Sequence, residues 1–153
     1  MSDASKQAGI APEGLITPHY WDDACKHLAK RDRVMRKLIE DHGSARLYSR
    51  GDAFTTLARS IVGQQISVKA AQSVWERFLA LLVPPPADQR GPVPVEQVLA
   101  LSVEQLRGAG LSARKVEYLQ DLARHFQEGS VHVADWHDMD DESIIEEIGR
   151  AHV

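Results

Sequence analysis

The sequence predicts an all-α fold, on three observations. Apolar residues recur at helical spacing along most of the chain, and side chains suited to helix N-caps stand where those stretches begin. No convincing strand interrupts them, the one weak alternation being Val131-His132-Val133.

The elements follow in order. Residues 1–16 are small and polar, with Gly9, Pro12 and Gly14, and read as a loose arm. Thr17-Pro18 predicts a helix start, with Thr as N-cap and Pro where a missing N–H does no harm. Trp21, Cys25 and Leu28 then share one face, which makes Cys25 a core side chain rather than a nucleophile. A second helix carries Val34, Leu38 and Ile39 and ends before Gly43. After Asp52, a good N-cap, Phe54, Leu57, Ala58 and Ile61 form the clearest apolar stripe. Gly63 interrupts it, and Ser67 caps a new helix bearing Val68, Ala71, Val74, Trp75 and Phe78. Pro84-Pro85-Pro86 must stop that helix, because proline lacks the donor and clashes with the preceding turn. Residues 84–94 read as a rigid Pro-rich connector, with a polyproline ligand the lesser alternative. Ser102 and Gln105 make a capping box for a short helix through Leu106, which Gly108 and Gly110 break. Ser112 caps the next, with Val116, Leu119, Leu122, Ala123 and Phe126 on one face and Gly129 as its stop. A last helix begins near Asp140 and carries Ile144 and Ile145.

Composition narrows the class. The chain has 153 residues, 43% hydrophobic and 26% charged, with a net charge of −4. That is enough to bury a core, and too apolar for disorder. The single cysteine, Cys25, excludes a disulfide framework and a four-cysteine zinc site, and fits a reducing compartment. The longest apolar run, Phe78 to Val83, is too short to cross a bilayer, and residues 1–6 lack a signal-peptide layout. The expectation is a soluble cytoplasmic monomer with no membrane partner. Charge is unevenly placed: Lys26 to Arg77 holds eleven bases and five acids, Asp135 to Glu147 seven acids and no base. The basic stretch suits a polyanion partner, or equally a solvated helical surface.

Chemistry by motif is scarce. None of the seven histidines makes HExxH or an i, i+4 pair, and His125, His132 and His137 read as surface residues, so no metal and no cofactor is expected. Asp138, Asp140 and Asp141 are explained as helix-start acids. The exception is Leu57-Ala-Arg-Ser-Ile-Val-Gly-Gln-Gln-Ile-Ser-Val-Lys-Ala-Ala71. Here a helix ends at Gly63, Gln64 and Gln65 follow, and Ser67 opens a helix with Lys69 in its first turn. A helix start and a lysine suit a phosphate, and amides in a turn can bond base edges or enter a base stack. The competing reading is an ordinary helix–helix corner with solvated glutamines.

That segment resembles the signature of alkylbase DNA glycosylases of the 3-methyladenine DNA glycosylase II type, in the helix-hairpin-helix glycosylase superfamily. Leu106 to Ala123 resembles the family's G-L-S-x-x-K-x-x-Y-L-x-x-L-A helix pair, and Trp136 to Glu147 resembles the lead-in to its hairpin. The resemblance spans about Thr17 to Glu147, so residues 17–147 are expected to be a partial helical glycosylase domain, the multi-helix N-terminal part of that fold. It implies a base-excision-repair hydrolase acting on double-stranded DNA with alkylated bases, and a nucleoid association if the source is bacterial. Such enzymes flip the damaged, cationic purine into an aromatic-lined pocket, where a buried Asp stabilises the oxocarbenium-like sugar while water attacks. By the same resemblance Gln65 fills the gap left by the flipped base, Gln64 and Ser67 flank it, and Lys69 steadies the backbone.

The family pattern continues into a Gly-rich hairpin and a catalytic Asp further downstream. Ile148-Gly149-Arg150 echoes a G-I-G-R-W-T hairpin, but no Trp-Thr follows and the spacing from Glu147 is short. The catalytic Asp is therefore expected beyond the end of this chain, no residue here is assigned as catalytic, and the 153 residues are expected to be inactive. One permitted back-translation of Glu147–Val153 matches the start of a common sequencing adapter, so residues 148–153 are read as a non-native tail. A frameshift or a natural C-terminus are the alternatives. A second reading of function is a non-catalytic helical module that binds damaged DNA.

Overall fold

A computed structural model describes residues 17–43, 45–48, 52–89 and 91–150. The expected arm at 1–16 and residues 151–153 of the expected tail lie outside the described residues. The chain divides into two compact units, Met1–Arg50 and Gly51–Val153. Among the described residues there are eight α-helices, one 3-10 turn and no strand.

The first unit holds α1 (Trp21–Arg31) packed on α2 (Arg33–Asp41). Asp32 joins them: its N–H donates to the Leu28 carbonyl, ending α1, and its carboxylate accepts from the Met35 N–H at 2.8 Å, starting α2. Thr17 is not the cap expected of it. The Trp21 N–H donates to the Pro18 carbonyl at 3.0 Å, so Pro18 opens a turn and α1 begins after it, with Tyr20 as an N-cap that makes no side-chain bond. Cys25 is likewise half-buried rather than a core residue, because α1 and α2 contain no buried side chain at all.

The second unit carries α3 (Ala53–Gly63), α4 (Val68–Leu79), α5 (Val95–Ala100), α6 (Val103–Gly108), α7 (Ala113–Gln127), the 3-10 turn Val133–Asp135 and α8 (Asp141–Arg150). Its core is built where the apolar stripes meet. Phe54, Ala58 and Ile61 of α3, Trp75 and Phe78 of α4, and Val116, Leu119 and Leu122 of α7 are all buried. Helix α7 is the central strut, with α3, α5 and α6 each packed on it, while α4 packs on α3.

Four side-chain caps fall where the sequence puts them. Asp52 accepts from the Thr55 N–H, Ser67 from Ala70, Ser102 from Gln105 in a reciprocal box, and Ser112 from Lys115. At the far end of α7, Gly129 takes φ +71, which lets the Ser130 N–H reach the His125 carbonyl at 3.0 Å and close the helix. Helix α5 was not foreseen: its N-cap is Pro94, which has no side-chain oxygen to announce it. The alternation at 131–133 is no strand, but the lead-in to the 3-10 turn.

The Pro-rich stretch between α4 and α5 is tied down near both ends. The Trp75 indole N–H and the Arg59 guanidinium both donate to the Gln89 carbonyl, at 2.9 and 3.1 Å, and the guanidinium lies 5.7 Å from the Trp75 ring. Buried Thr55 donates to Asp52 and accepts from the Val93 N–H at 2.9 Å, which fixes the connector's end to the start of α3.

Candidate nucleic-acid interface

The α3–α4 corner is four residues long, Gln64 to Ser67, and every residue in it is exposed. Gln64 caps α3 in an extended conformation, φ −61 and ψ 137, with its N–H on the Ile61 carbonyl. Gln65 then adopts φ +58, the one non-glycine positive φ among the described residues. A side chain there crowds its own backbone, so the conformation persists only where both flanks hold it. One flank is Ser67, whose hydroxyl oxygen accepts from the Ala70 N–H at 3.2 Å. On the other side Gly63 faces Ala71 of α4, where a Cβ would make an ordinary contact at 3.7 Å.

Of the four residues expected at the site, Gln64, Gln65 and Ser67 lie in the corner and Lys69 in the first turn of α4. Gln64 and Gln65 have no side-chain partner among the described residues, and neither does the Lys69 ammonium. Ser67 differs from them, since its oxygen is engaged in capping α4. Two exposed apolar side chains stand among these polar groups, Ile66 at 40% and Val68 at 88% exposure.

Lys115 was missed as a member of this corner. Its Nζ donates to the Val62 carbonyl at 2.7 Å, reaching from the first turn of α7 to the last turn of α3. A hint was available, because a lysine in a helix's first turn opposes the macrodipole.

The second polar cluster lies around Glu147 of α8. Its carboxylate accepts from the Trp136 indole N–H at 2.6 Å and the His132 backbone N–H at 2.8 Å, and His132 Nδ1 lies 2.6 Å away. Burial pushes the Glu147 carboxyl up, but these donors outweigh it and hold the group below the usual carboxylate range. Asp140 caps α8 through the Ser143 N–H, and Asp138 pairs with His137 at 3.0 Å. No group of three or more His, Cys, Asp or Glu side chains placed to hold a metal occurs among the described residues.

The described residues thus form an all-helical scaffold that exposes Gln64 and Gln65 beside the N-terminus of α4. Residues 58–152 match the HhH-GPD superfamily of base excision DNA repair proteins, and the chain belongs to that family. Among curated relatives it is 29% identical over 133 residues to the DNA-3-methyladenine glycosylase of Saccharomyces cerevisiae, covering 76% of this chain and 42% of that protein. It is 27% identical over 101 residues to DNA-3-methyladenine glycosylase 1 of Schizosaccharomyces pombe, covering 63% and 42% respectively. The chain thus spans less than half the length of the curated relatives it matches. Two solved structures share the fold. The DNA-3-methyladenine glycosidase of Bacillus halodurans superposes with a TM-score of 0.63 at 24% identity, over 91% of this chain and 61% of that one. The S. pombe 3-methyladenine DNA glycosylase in complex with abasic DNA superposes with a TM-score of 0.69 at 22% identity, over 85% and 63%.

Proposed function

We propose that this chain carries the lesion-probing corner of a glycosylase that flips alkylated purines of the 3-methyladenine class from double-stranded DNA and hydrolyses their glycosidic bond. The observation that carries the reading is Gln65, an exposed amide held at positive φ between two capped helices. In it, Gln65 enters the gap left by the flipped base, flanked by Gln64 and Ser67. Ile66 and Val68 add an apolar wedge of the kind that parts base steps, and Lys69 lies against the phosphate backbone. The substrate class is supported by the names of the relatives.

The acids of residues 135–147 are proposed as structural. Asp140 caps α8, Asp138 pairs with His137, and Glu147 is bound on both oxygens. The 153 residues then recognise a lesion without cutting it.

Fluorescence anisotropy with a duplex carrying a tetrahydrofuran abasic-site analogue tests the reading. Tighter binding than to the intact duplex is expected, falling steeply with salt. Gln65→Ala is expected to weaken the lesion complex roughly ten-fold, about 1.4 kcal/mol. Equal affinity for the two duplexes, unmoved by Gln65→Ala, overturns the role of the corner. Release of 3-methyladenine from methylated DNA by this chain overturns the structural reading of the acids.

A further inference from the structure

We infer that Lys115 is the positioning residue of the Gln64–Gln65 corner, an inference that rests on the role proposed for Gln65. Lys115 stands at the third position of α7, where the helix dipole disfavours a cation. Its Nζ is instead carried across to α3, 53 residues away in sequence, and donates to the Val62 carbonyl at 2.7 Å. That carbonyl belongs to the last turn of α3, where carbonyls lack helical partners and the dipole favours positive charge. The misplaced cation of one helix is therefore the C-terminal cap of the other.

The capped carbonyl lies two residues before Gln64 and three before Gln65. A side chain at φ +58 stays there only if the backbone on both sides is held. Ser67 holds the downstream side through Ala70, and Lys115 holds the upstream side through Val62. Without the lysine, the last turn of α3 is free to fray and Gln65 to leave the left-handed region. Lys115 is half-buried with its ammonium on a carbonyl, so it acts through the glutamines and not as a phosphate contact.

A double-mutant cycle on the full 153-residue chain separates these roles, read by anisotropy with the tetrahydrofuran and intact duplexes over a salt series. Lys115→Met is expected to weaken the lesion complex roughly ten-fold, as Gln65→Ala does, while the double variant binds no more weakly than Gln65→Ala alone. Lys115→Arg, which keeps a charged donor, restores most of the affinity, and the salt slope stays unchanged. Additive losses, or a salt slope shallower by about one, make Lys115 a direct phosphate contact and overturn the inference. Amide chemical shifts provide a readout that needs no DNA: changes confined to residues 62–66 in Lys115→Met support the positioning role, and an unmoved corner overturns it. Where Lys115→Met does not melt cooperatively, Lys115→Gln replaces it in both measurements. If Gln65→Ala alone leaves lesion binding unchanged, the role of Gln65 fails and this inference falls with it. An unmoved corner in the amide spectrum, with Gln65→Ala still harmful, removes Lys115 only.

Discussion

Gln65 joins backbone strain to exposure in a single residue. A left-handed non-glycine residue costs about 1–2 kcal/mol, and this exposed side chain makes no hydrogen bond or ion pair among the described residues. Gln64, its neighbour, sits at φ −61 and carries no such strain. The two positions should therefore respond oppositely to glycine. Gln65→Gly relieves the strain while adding freedom to the unfolded chain, so its melting temperature should stay level or rise by a few degrees. Gln64→Gly gains only the freedom, and should lose about 0.5–1 kcal/mol. Paired thermal melts check the signs, and a fall for Gln65→Gly as large as that for Gln64→Gly would show the corner to be unstrained. The same Gln65→Gly protein should lose its preference for the abasic duplex, separating stability from recognition at one position. None of this was readable from the Gln-Gln dipeptide, because φ at a corner is set by how two helices pack.

At the scale of the elements, local chemistry was legible and distant chemistry was not. Asp52, Ser67, Ser102 and Ser112 announce helix starts because each cap bonds an N–H only three residues away. Where the N-cap is Pro94 or Tyr20, no side chain bonds the first turn, and α5 was missed and α1 begun early. The Lys115–Val62 and Thr55–Val93 bonds join residues 53 and 38 apart, a separation that periodicity cannot see. The tie between α8 and the 3-10 turn is another such bond, and it titrates. Glu147 is held below its ordinary value of 4.5, so the folded state binds the carboxylate form better than the unfolded state does. Its contribution is complete above the ordinary value and is lost as pH falls through the lower folded one. Chemical denaturation followed from neutral pH down through this range should show a loss of stability that Glu147→Gln reduces. An identical pH profile in the variant would mean that other carboxylates carry the acid sensitivity.

Across the whole molecule, burial is unevenly shared. Every buried apolar side chain among the described residues, from Phe54 to Ala123, belongs to the second unit. In the first unit, Leu28 of α1 and Val34 and Leu38 of α2 are exposed, and Trp21, Cys25, Met35 and Ile39 line an open apolar groove of about 660 Å³. Burial of apolar area is the main favourable contribution to folding, so helices that bury no side chain open at low free energy. Within the second unit, α3, α4 and α7 meet at Ile61, Trp75, Phe78, Leu119 and Leu122, each no more than 1% exposed, and must open together. Hydrogen exchange should accordingly grade the chain. Amides in the middle of α7 should exchange only through global unfolding, and those of α1 and α2 through much cheaper local opening. Leu119→Ala, which leaves a cavity in α7's buried face, should lower α7 protection by about 2–5 kcal/mol. Equal protection in α1 and α7 would refute the ordering, and would mean that the stability of α1 and α2 does not follow from the side chains they bury.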